Sequence, residues 1–224
     1  MIEEDSLLEE DIEPEEIVEA YEEEYYDVSR EEQRRFVFGK PRLKPARLSD
    51  FRGFPAIREK LAQLIHFLKN YHEYCRRGAR IQPGVLLEGP PGCGKTLSAR
   101  IIATESGCHV VDALSFPRSR YRWISEDIHT LFSLAREYHQ KTGRAVIIYF
   151  DRLESVCYRR SGEAVSALLS ELDGLGGKPQ GVFVVASTIS HRHISGELLR
   201  SGRLGYRLRY TCPDAAGRLD ILKY

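Results

Sequence analysis

The chain has 224 residues, which is long enough for one α/β domain with a buried core and an additional tail. Its formal net charge of zero conceals an asymmetry: residues 1–35 carry 16 acidic and 3 basic side chains, whereas residues 36–224 carry 17 acidic and 30 basic ones. The five cysteines show no C-x-x-C spacing, so the sequence predicts neither a zinc site nor a disulfide framework. No apolar stretch reaches membrane-spanning length and no signal-peptide pattern opens the chain, so we expect any membrane anchor of the assembly outside these residues.

Residues 1–47 are predicted to form an acidic, partly disordered or helical tail that ends in a basic, proline-containing linker at residues 39–45. An acidic run with few apolar residues is typical of a solvated or disordered segment. Alternatively, the tail could dock on a basic surface, such as that of a neighbouring subunit. Apolar residues at near-helical spacing keep this second interpretation open: Ile12, Ile17, Val18, Tyr21 and Tyr25.

Residues 48–224 are predicted to form a single α/β domain. Apolar residues at helical spacing first predict a helix over Ile57–Asn70. Strand-like and helix-like segments then alternate along the chain: Val85–Leu87, Leu97–Glu105, His109–Val111, Ser125–Tyr138, Val146–Phe150, Glu163–Leu172 and Val182–Ala186. The runs Val146–Phe150 and Val182–Ala186 are apolar throughout, as expected of strands that are buried on both faces. This alternation predicts a parallel sheet flanked by helices.

The octapeptide Gly89–Thr96 matches the phosphate-binding pattern G-x-x-x-x-G-K-[ST] at every fixed position, between a predicted strand and a predicted helix. Backbone N–H groups of such a loop turn towards phosphate oxygens at a helix N-terminus, where the helix dipole also favours anions. We therefore expect the loop to bind ATP or ADP, with Lys95 at the outer phosphates and Thr96 holding Mg²⁺. The expected nucleotide contacts are Gly89, Pro90, Pro91, Gly92, Cys93, Gly94, Lys95 and Thr96.

Much of residues 48–222 resembles the nucleotide-binding module of AAA+ ATPases, and most closely that of the FtsH-like group. The similar segments are Leu48–Gly53, Phe67–Asn70, Gly78–Leu87, the signalling segment Leu168–Leu175, and Leu198–Arg203 with Pro213–Asp214 and Gly217–Arg218. The resemblance implies a P-loop NTPase fold, the AAA+ large subdomain, with Gly53 contributing to nucleotide binding. The helical lid of this family would begin near Tyr224, so we expect no lid subdomain in these residues, and no His-Glu-x-x-His protease motif is present.

Two departures from the family pattern concern hydrolysis. In this family a buried strand ends in Asp-Glu, where the Asp supports Mg²⁺ and the Glu polarises the attacking water; here it ends in Asp151-Arg152. A guanidinium cannot accept a proton at physiological pH, so Arg152 cannot be the general base. Ile189 stands in place of a sensor Asn and has no hydrogen-bonding group. The resemblance thus implies poor hydrolysis, with Glu154 as the base in the alternative of an active site.

Arg200 and Arg203 match the two arginine fingers that reach into the adjacent subunit's site in rings of this family. The alternative is that both are surface arginines of a basic domain. A subunit that keeps the fingers but lacks its own base would be impaired in its own site and competent in its neighbour's. That combination implies a hetero-hexamer with other AAA+ subunits.

An ungapped alignment places Arg120, Tyr121 and Arg122 at the family's pore loop, with Trp123 immediately after them. Tyr121 or Trp123 would then contact a polypeptide substrate, and surface exposure without function is the alternative. The arginines would equally suit an acidic chain or a nucleic-acid backbone. Nucleic-acid binding is not expected, because no RNA-binding module or stacking motif accompanies these residues.

The whole pattern resembles inactive FtsH-like partners found in plastids. It implies a subunit of an ATP-driven protein-unfolding or translocating motor in a membrane-anchored assembly, at the chloroplast envelope and facing the stroma. Mitochondrial and cytosolic locations are the alternatives. Two other functions stay open: an active ATPase with a non-standard base, and a structural adaptor that does not cycle nucleotide.

Overall fold

The computed structural model describes residues 28–40, 43–78, 83–118, 124–157, 162–177 and 181–223. The apolar pattern between Ile12 and Tyr25 and the predicted pore residues Arg120, Tyr121 and Trp123 lie outside these ranges. Within them, no helix is both long enough and apolar enough to cross a membrane. The same ranges contain no cluster of His, Cys, Asp or Glu side chains that could hold a metal ion by itself. All five cysteines are free thiols.

Five parallel strands form the central sheet in the order β2-β3-β4-β1-β5. Their bounds are β1, Gly84–Glu88; β2, His109–Asp112; β3, Val146–Phe150; β4, Val182–Thr188; and β5, Tyr206–Arg209. Strands β3 and β4 are buried along their whole length, which explains their continuous apolar sequences. The predicted parallel α/β fold is confirmed. Strand β5 is absent from the prediction, because its short sequence carries two arginines.

Helices cover both faces of this sheet. One face packs against α2, Pro55–Lys69; α3, Tyr71–Arg76; and α4, Lys95–Ser106. The other face packs against α1, Arg30–Phe38; α5, Ser125–Thr142; and α6, Gly162–Gly177. Helix α7, Ala215–Leu222, follows β5, and 3-10 helices occur at Leu48–Asp50, Ala113–Ser115, Leu153–Ser155 and His191–His193. Because alternate side chains of a strand point to opposite faces, strands β1 to β4 contribute to both halves of the core.

Helix α1 packs against the domain although its sequence belongs to the predicted tail. Val37 is fully buried in the core on the α5 side of the sheet, and its carbonyl oxygen lies 2.6 Å from the ring Nε2 of buried His109. Burial lowers the pKa of His109, which favours the neutral ring in this contact. Gln33 Nε2 donates a hydrogen bond to the carbonyl oxygen of Pro117 at 3.0 Å. The predicted domain boundary at Leu48 therefore lies inside the packed unit. The sequence places α1 in the tail because charged residues at its start precede its short apolar end.

Candidate functional site: the phosphate-binding loop and the adjoining strand ends

The phosphate-binding loop lies between the carboxyl end of β1 and the first turn of α4. Gly94 precedes α4 in a left-handed conformation with φ 87°, and Gly89 opens the loop with φ 153°. A Cβ atom on Gly89 would lie 2.4 Å from the carbonyl oxygen of Tyr210, so a side chain there would require the backbone to shift. The loop leads into the N-terminus of a 12-residue helix. Unpaired N–H groups and the helix dipole favour an anion at that end.

Lys95 is the first residue of α4, and its side chain folds back over the loop. Its Nζ donates hydrogen bonds to the carbonyl oxygens of Gly89, at 2.6 Å, and Pro90, at 2.7 Å. An ammonium group carries three donors and no acceptor, so it suits both these carbonyl oxygens and phosphate oxygens. The position of Lys95 is therefore compatible with the phosphate contact that the sequence predicts.

Aromatic residues support the loop from the sheet side. The buried Phe51 ring lies 3.1 Å from the Cβ position of Gly94 and meets the Tyr210 ring edge-on, with 6.4 Å between centroids. The Tyr210 hydroxyl donates a hydrogen bond to Ser98 Oγ at 2.8 Å, and Ser98 Oγ donates to the carbonyl oxygen of Gly94 at 2.9 Å. Burial raises the pKa of Tyr210 to about 12, so its hydroxyl keeps the proton that it donates. These contacts fix the loop and α4 to the sheet.

Two oxygen-bearing side chains that suit Mg²⁺ come from two elements: Thr96 lies on the first turn of α4, and Asp151 directly follows β3. Asp151 Oδ1 accepts hydrogen bonds from the Tyr149 hydroxyl at 3.0 Å and from Ser187 Oγ at 2.6 Å. Burial raises the pKa of Tyr149 far above its ordinary value, so this hydroxyl stays protonated. Hydroxyl and carboxylate oxygens are the ligands that Mg²⁺ takes, so Thr96 and Asp151 fit the predicted metal contact.

Arg152 follows Asp151 directly and exposes its guanidinium group. It has a left-handed backbone, with φ 56°, and is the one non-glycine residue with positive φ within the described ranges. Such a conformation costs about 1–3 kcal/mol. The Arg152 N–H donates a hydrogen bond to Ser187 Oγ at 3.0 Å, which helps to hold this conformation. The position at which the resemblance predicts a general base therefore presents a cation on a constrained turn.

Glu154, the alternative base, lies on the 3-10 helix Leu153–Ser155. Its carboxylate contributes to raising the pKa of the Cys157 thiol, which burial principally raises to about 11. The Oε2 atom of Glu154 is buried and has no hydrogen-bond partner within the part of the chain that the structure describes. Among these residues, no hydrogen bond links its side chain to Asp151 or to the phosphate-binding loop.

Ile189, at the predicted sensor position just after β4, is 51% exposed. The following residues form a cluster with Glu88, the last residue of β1. Glu88 Oε1 accepts a hydrogen bond from the His191 N–H at 3.1 Å and contacts the His191 ring, while Arg209 Nε lies 3.8 Å from Oε2. Burial disfavours the charged carboxylate, but the contacts with His191 outweigh burial and hold the pKa of Glu88 below its usual value. The cluster joins the sensor loop to the strand that enters the phosphate-binding loop.

Gly53, a predicted nucleotide contact, lies at the edge of a cavity of about 920 Å³. The cavity is enclosed by the entry segment, the start of α2 and the residues that follow β5. The Gly53 N–H donates a hydrogen bond to Asp220 Oδ2 of α7 at 2.9 Å, and Gly217 of the same helix packs against the Gly53 carbonyl. Helix α7 therefore rests on the entry turn, and the nucleotide contact of Gly53 stays a prediction.

The two predicted trans-acting arginines differ in their surroundings. Arg203 forms two hydrogen bonds with the carboxylate of Asp173, at 2.6 and 2.8 Å, and a third with the carbonyl oxygen of Glu197 at 2.8 Å. The hydrogen bond from Arg203 lowers the pKa of Asp173. The side chain of Arg200 is exposed. Arg203 is thus positioned by α6, whereas Arg200 extends into solvent.

Comparison with known proteins identifies the family. A sequence model of the ATPase family associated with various cellular activities (AAA) matches residues 85–211, more than half of the chain. The chain belongs to the AAA family. This AAA chain is 34% identical over 196 residues to ATP-dependent zinc metalloprotease FtsH 2 of Symbiobacterium thermophilum, covering 82% of this chain and 32% of that protein. The resemblance to the FtsH-like group of AAA+ ATPases is thereby confirmed, and membership of an ATPase family implies nucleotide binding, usually with Mg²⁺.

Two further relatives match at similar levels. The ATPase family gene 2 protein of Saccharomyces cerevisiae is 34% identical over 183 residues, covering 78% of this chain and 23% of that protein. The ATP-dependent zinc metalloprotease FtsH of Lactiplantibacillus plantarum is 33% identical over 205 residues, covering 83% of this chain and 27% of that protein. The AAA chain thus spans between 23% and 32% of the length of these three relatives.

The structure brings most of the predicted site residues to one edge of the sheet. The loop Gly89–Thr96, Asp151, Arg152 and Ile189 all follow the carboxyl ends of parallel strands, which is where α/β sheets bind ligands. Sequence analysis missed Tyr149, which lies within an apolar run. The period of a strand was the available signal, because it places Tyr149 on the same face as Asp151.

Proposed function

We propose that this AAA chain is a nucleotide-binding subunit with impaired hydrolysis, which works in a mixed hexameric ring that unfolds or translocates polypeptides. The observation that carries the proposal is Arg152, an exposed cation directly after Asp151, where a hydrolysing site needs a proton acceptor. The phosphate-binding loop before α4 keeps every residue of its pattern. In this proposal the site therefore keeps the residues that bind nucleotide and lacks the proton acceptor that hydrolysis needs.

In this proposal each residue of the site has a separate role in binding the nucleotide or in limiting its hydrolysis. The loop and the N-terminus of α4 bind the phosphates of ATP or ADP, with Lys95 neutralising their charge. Thr96 and Asp151 hold Mg²⁺, which when bound screens the phosphate charge. Neither Arg152 nor Ile189 accepts a proton from water or orients it, and general-base catalysis contributes about 10²–10⁴ in rate. The site would consequently hold its nucleotide much longer than a hydrolysing site does.

The ring and its substrate belong to the same proposal. Arg200 and Arg203 would complete the site of an adjacent AAA+ subunit, and Tyr121 and Trp123, with Arg120, would contact the polypeptide. Two of the relatives are ATP-dependent proteases by name, which is consistent with a polypeptide substrate. We place the ring in a membrane-anchored assembly at the chloroplast envelope, facing the stroma. A fluorescent fusion combined with protease protection of isolated plastids tests this location, and a signal in mitochondria or cytosol would contradict it.

Calorimetric titration and phosphate release test the function directly. We expect the full chain to bind Mg·ATP and Mg·ADP, and to release phosphate from bound ATP no faster than the background of a Lys95→Ala control. Failure to bind either nucleotide would contradict the proposal. Release well above that background would contradict impaired hydrolysis.

An active ATPase that uses Glu154 is the second candidate, because Glu154 Oε2 is buried and unpaired within the described ranges. If that candidate is correct, the chain hydrolyses ATP and Glu154→Gln abolishes the activity. If Glu154→Gln leaves any turnover unchanged, the candidate is wrong. A non-cycling structural adaptor is the third candidate, and the test of the trans-acting arginines in the Discussion separates it from a motor subunit.

A further inference from the structure

Helix α7 contacts the entry turn through a polar clasp, which consists of Arg52, Gly53, Gly217 and Asp220. Asp220 Oδ2 accepts a hydrogen bond from the Gly53 N–H at 2.9 Å, and Asp220 Oδ1 lies 3.8 Å from Arg52 Nη1. All 8 residues of α7 are within the described part of the chain, and among them Gly217 alone is buried, whereas Leu222 is 83% exposed. Burial of apolar side chains therefore contributes little to the position of α7, and the clasp sets it.

Both glycines of the clasp are required because the two backbones approach closely. Gly53 has φ 81°, and a Cβ atom on it would lie 2.7 Å from Ile221 Cδ1 and 2.9 Å from the carbonyl oxygen of Gly217. A Cβ atom on Gly217 would lie 2.6 Å from the carbonyl oxygen of Gly53. A side chain at either position would push α7 away from the entry turn. The clasp thus couples the position of α7 to that of the turn.

The clasp also forms part of the wall of the cavity beside the phosphate-binding loop. Gly53, Gly217 and Asp220 line this cavity of about 920 Å³. Phe51 lines it too, and the Phe51 ring lies against Gly94 of the loop. The volume is within the range of about 300–1,000 Å³ in which proteins bind small molecules. A nucleotide whose phosphates lie at the loop would place its nucleoside next to this wall.

We propose that Asp220 is a positioning residue for nucleotide binding, because it holds α7 against the entry turn and so keeps the cavity wall formed for the nucleoside. The inference rests on the proposed nucleotide binding and on the predicted contact of Gly53. It adds that binding of the nucleoside, and not of the phosphates, depends on α7. A wall that is already in place costs less free energy to bind against than one that must be ordered together with the ligand.

The test compares ADP with pyrophosphate, which has the same two phosphate groups without the nucleoside. Calorimetry on the full chain gives the Kd of each ligand in the presence of MgCl2. Asp220→Ala should weaken ADP binding at least about tenfold, because the wall is no longer held in place. It should change pyrophosphate binding by less than about twofold, because that ligand binds at the loop alone. Asp220→Asn keeps an acceptor for the Gly53 N–H, so it should lose less ADP affinity than Asp220→Ala does.

Asp112→Ala is the matched control. Asp112 is also a partly exposed carboxylate that accepts a backbone N–H, from Leu114 at 3.1 Å. It ends β2, at the opposite edge of the sheet from β5 and α7. This variant should leave the affinities for both ligands unchanged.

Gly217→Ala tests the clasp without removing a charge. Its Cβ atom would meet the carbonyl oxygen of Gly53, so α7 must move away from the turn. Alanine favours a helix more than glycine does, so α7 itself should still form. We expect the same loss of ADP affinity as in Asp220→Ala, again with pyrophosphate binding unchanged.

The possible results separate this inference from the proposed function. Unchanged ADP affinity in Asp220→Ala, or equal weakening of ADP and pyrophosphate, overturns the inference and leaves nucleotide binding intact. A wild-type chain that binds pyrophosphate as tightly as ADP also overturns it, since the cavity then takes no nucleoside. A folded wild-type chain that binds neither ligand contradicts nucleotide binding itself. If circular dichroism shows that Asp220→Ala does not fold, Gly217→Ala decides by the same criteria.

Discussion

The half of the site that would bind phosphate and the half that would activate water are held by different kinds of contact. In the first half, Gly89 and Gly94 lie against the buried residues Tyr210 and Phe51, so a change of residue disturbs the packing below the loop. In the second half, Ile189 is largely exposed and its side chain adds little to the core. The fold therefore constrains Gly89 and Gly94 much more than it constrains the side chain of Ile189. Hydrolysis can be lost in such a site while the domain and its affinity for nucleotide persist.

Asp151 belongs to both halves. Its carboxylate would support a metal ion, and it also anchors the end of β3 through Tyr149 and Ser187. Ser187 in turn accepts the N–H of Arg152 and so helps to hold the turn on which the altered residue lies. The acidic residue has a structural role besides any catalytic one, which gives a physical reason for its presence beside an altered base.

The largest expected effect concerns the arginines that would act in a neighbouring site. Replacing Arg200 and Arg203 with Ala should leave this chain's own nucleotide affinity nearly unchanged, because within the described residues neither side chain forms a hydrogen bond or ion pair with the phosphate-binding loop. Hydrolysis at the adjacent subunit should fall by about 10³–10⁵, since a trans-acting arginine stabilises charge that develops in the transition state. The measurement is single-site turnover in an assembled ring in which the neighbour alone can hydrolyse ATP.

Arg35→Ala is the matched control, because its side chain is 80% exposed and lies on α1. Asp173→Asn adds a finer test, since it weakens the contact that positions Arg203 and leaves Arg200 untouched. A loss below about threefold in the double variant corresponds to less than about 1 kcal/mol. That result would favour the structural adaptor over the motor subunit.

The second effect concerns Arg152 and Ile189, in the half of the site that would activate water. Arg152→Glu combined with Ile189→Asn should raise turnover at this site by about 10² or more, because the pair restores a base and a sensor. The assay is phosphate release from a ring whose other sites are inactivated. Arg152→Gln is the control, since it removes the cation without supplying a proton acceptor. An equal gain with Arg152→Gln would show that repulsion by the cation, and not the missing base, limits hydrolysis.

The sequence predicts best those elements whose apolar residues form an uninterrupted run. The bounds of β3 are predicted without error, because five large apolar residues follow Ala145 and end at the acidic Asp151. Helix α1 and strand β5 are missed, because charged side chains interrupt their apolar positions and their burial depends on contacts with distant segments. The phosphate-binding loop can likewise be identified from one octapeptide, because its pattern is continuous in sequence. The residues that surround the loop in the fold cannot be identified in this way, because they come from distant segments.

The contacts around the loop illustrate this limit. The Glu88–His191 contact joins residues 103 positions apart, and the Arg203–Asp173 ion pair joins residues 30 positions apart. Neither pairing leaves a local pattern, since each depends on how parallel strands bring their carboxyl ends together. Tyr149 is intermediate, because strand period sets its face, whereas the fold brings Ser187 to the Asp151 oxygen to which Tyr149 also donates.

The third effect tests the complete phosphate-binding pattern of the binding half. Lys95→Ala should weaken Mg·ATP and Mg·ADP binding at least about tenfold, because charge-assisted hydrogen bonds to phosphate are lost. Calorimetric titration measures the change. Lys69→Ala, at the end of α2, is the control for the loss of one lysine charge. Equal affinity of the Lys95→Ala and wild-type chains would show that Lys95 and its loop do not bind the phosphates. The comparison between a binding half and a hydrolysing half would then no longer hold.

The smallest effect is on stability, and it tests the comparison without any nucleotide. Ser98→Ala removes the acceptor of the buried Tyr210 hydroxyl, which leaves a polar group unpaired below the loop. That should lower the free energy of unfolding by about 1–3 kcal/mol. Ile189→Asn changes an exposed side chain and should stay within about 0.5 kcal/mol of the wild-type chain. Urea unfolding followed by circular dichroism measures both variants on the same scale. If Ile189→Asn destabilised the domain as much as Ser98→Ala does, packing would constrain Ile189 as strongly as it constrains the half of the site that would bind phosphate. The presence of Ile at this position would then be explained by the stability of the fold and not by the loss of hydrolysis.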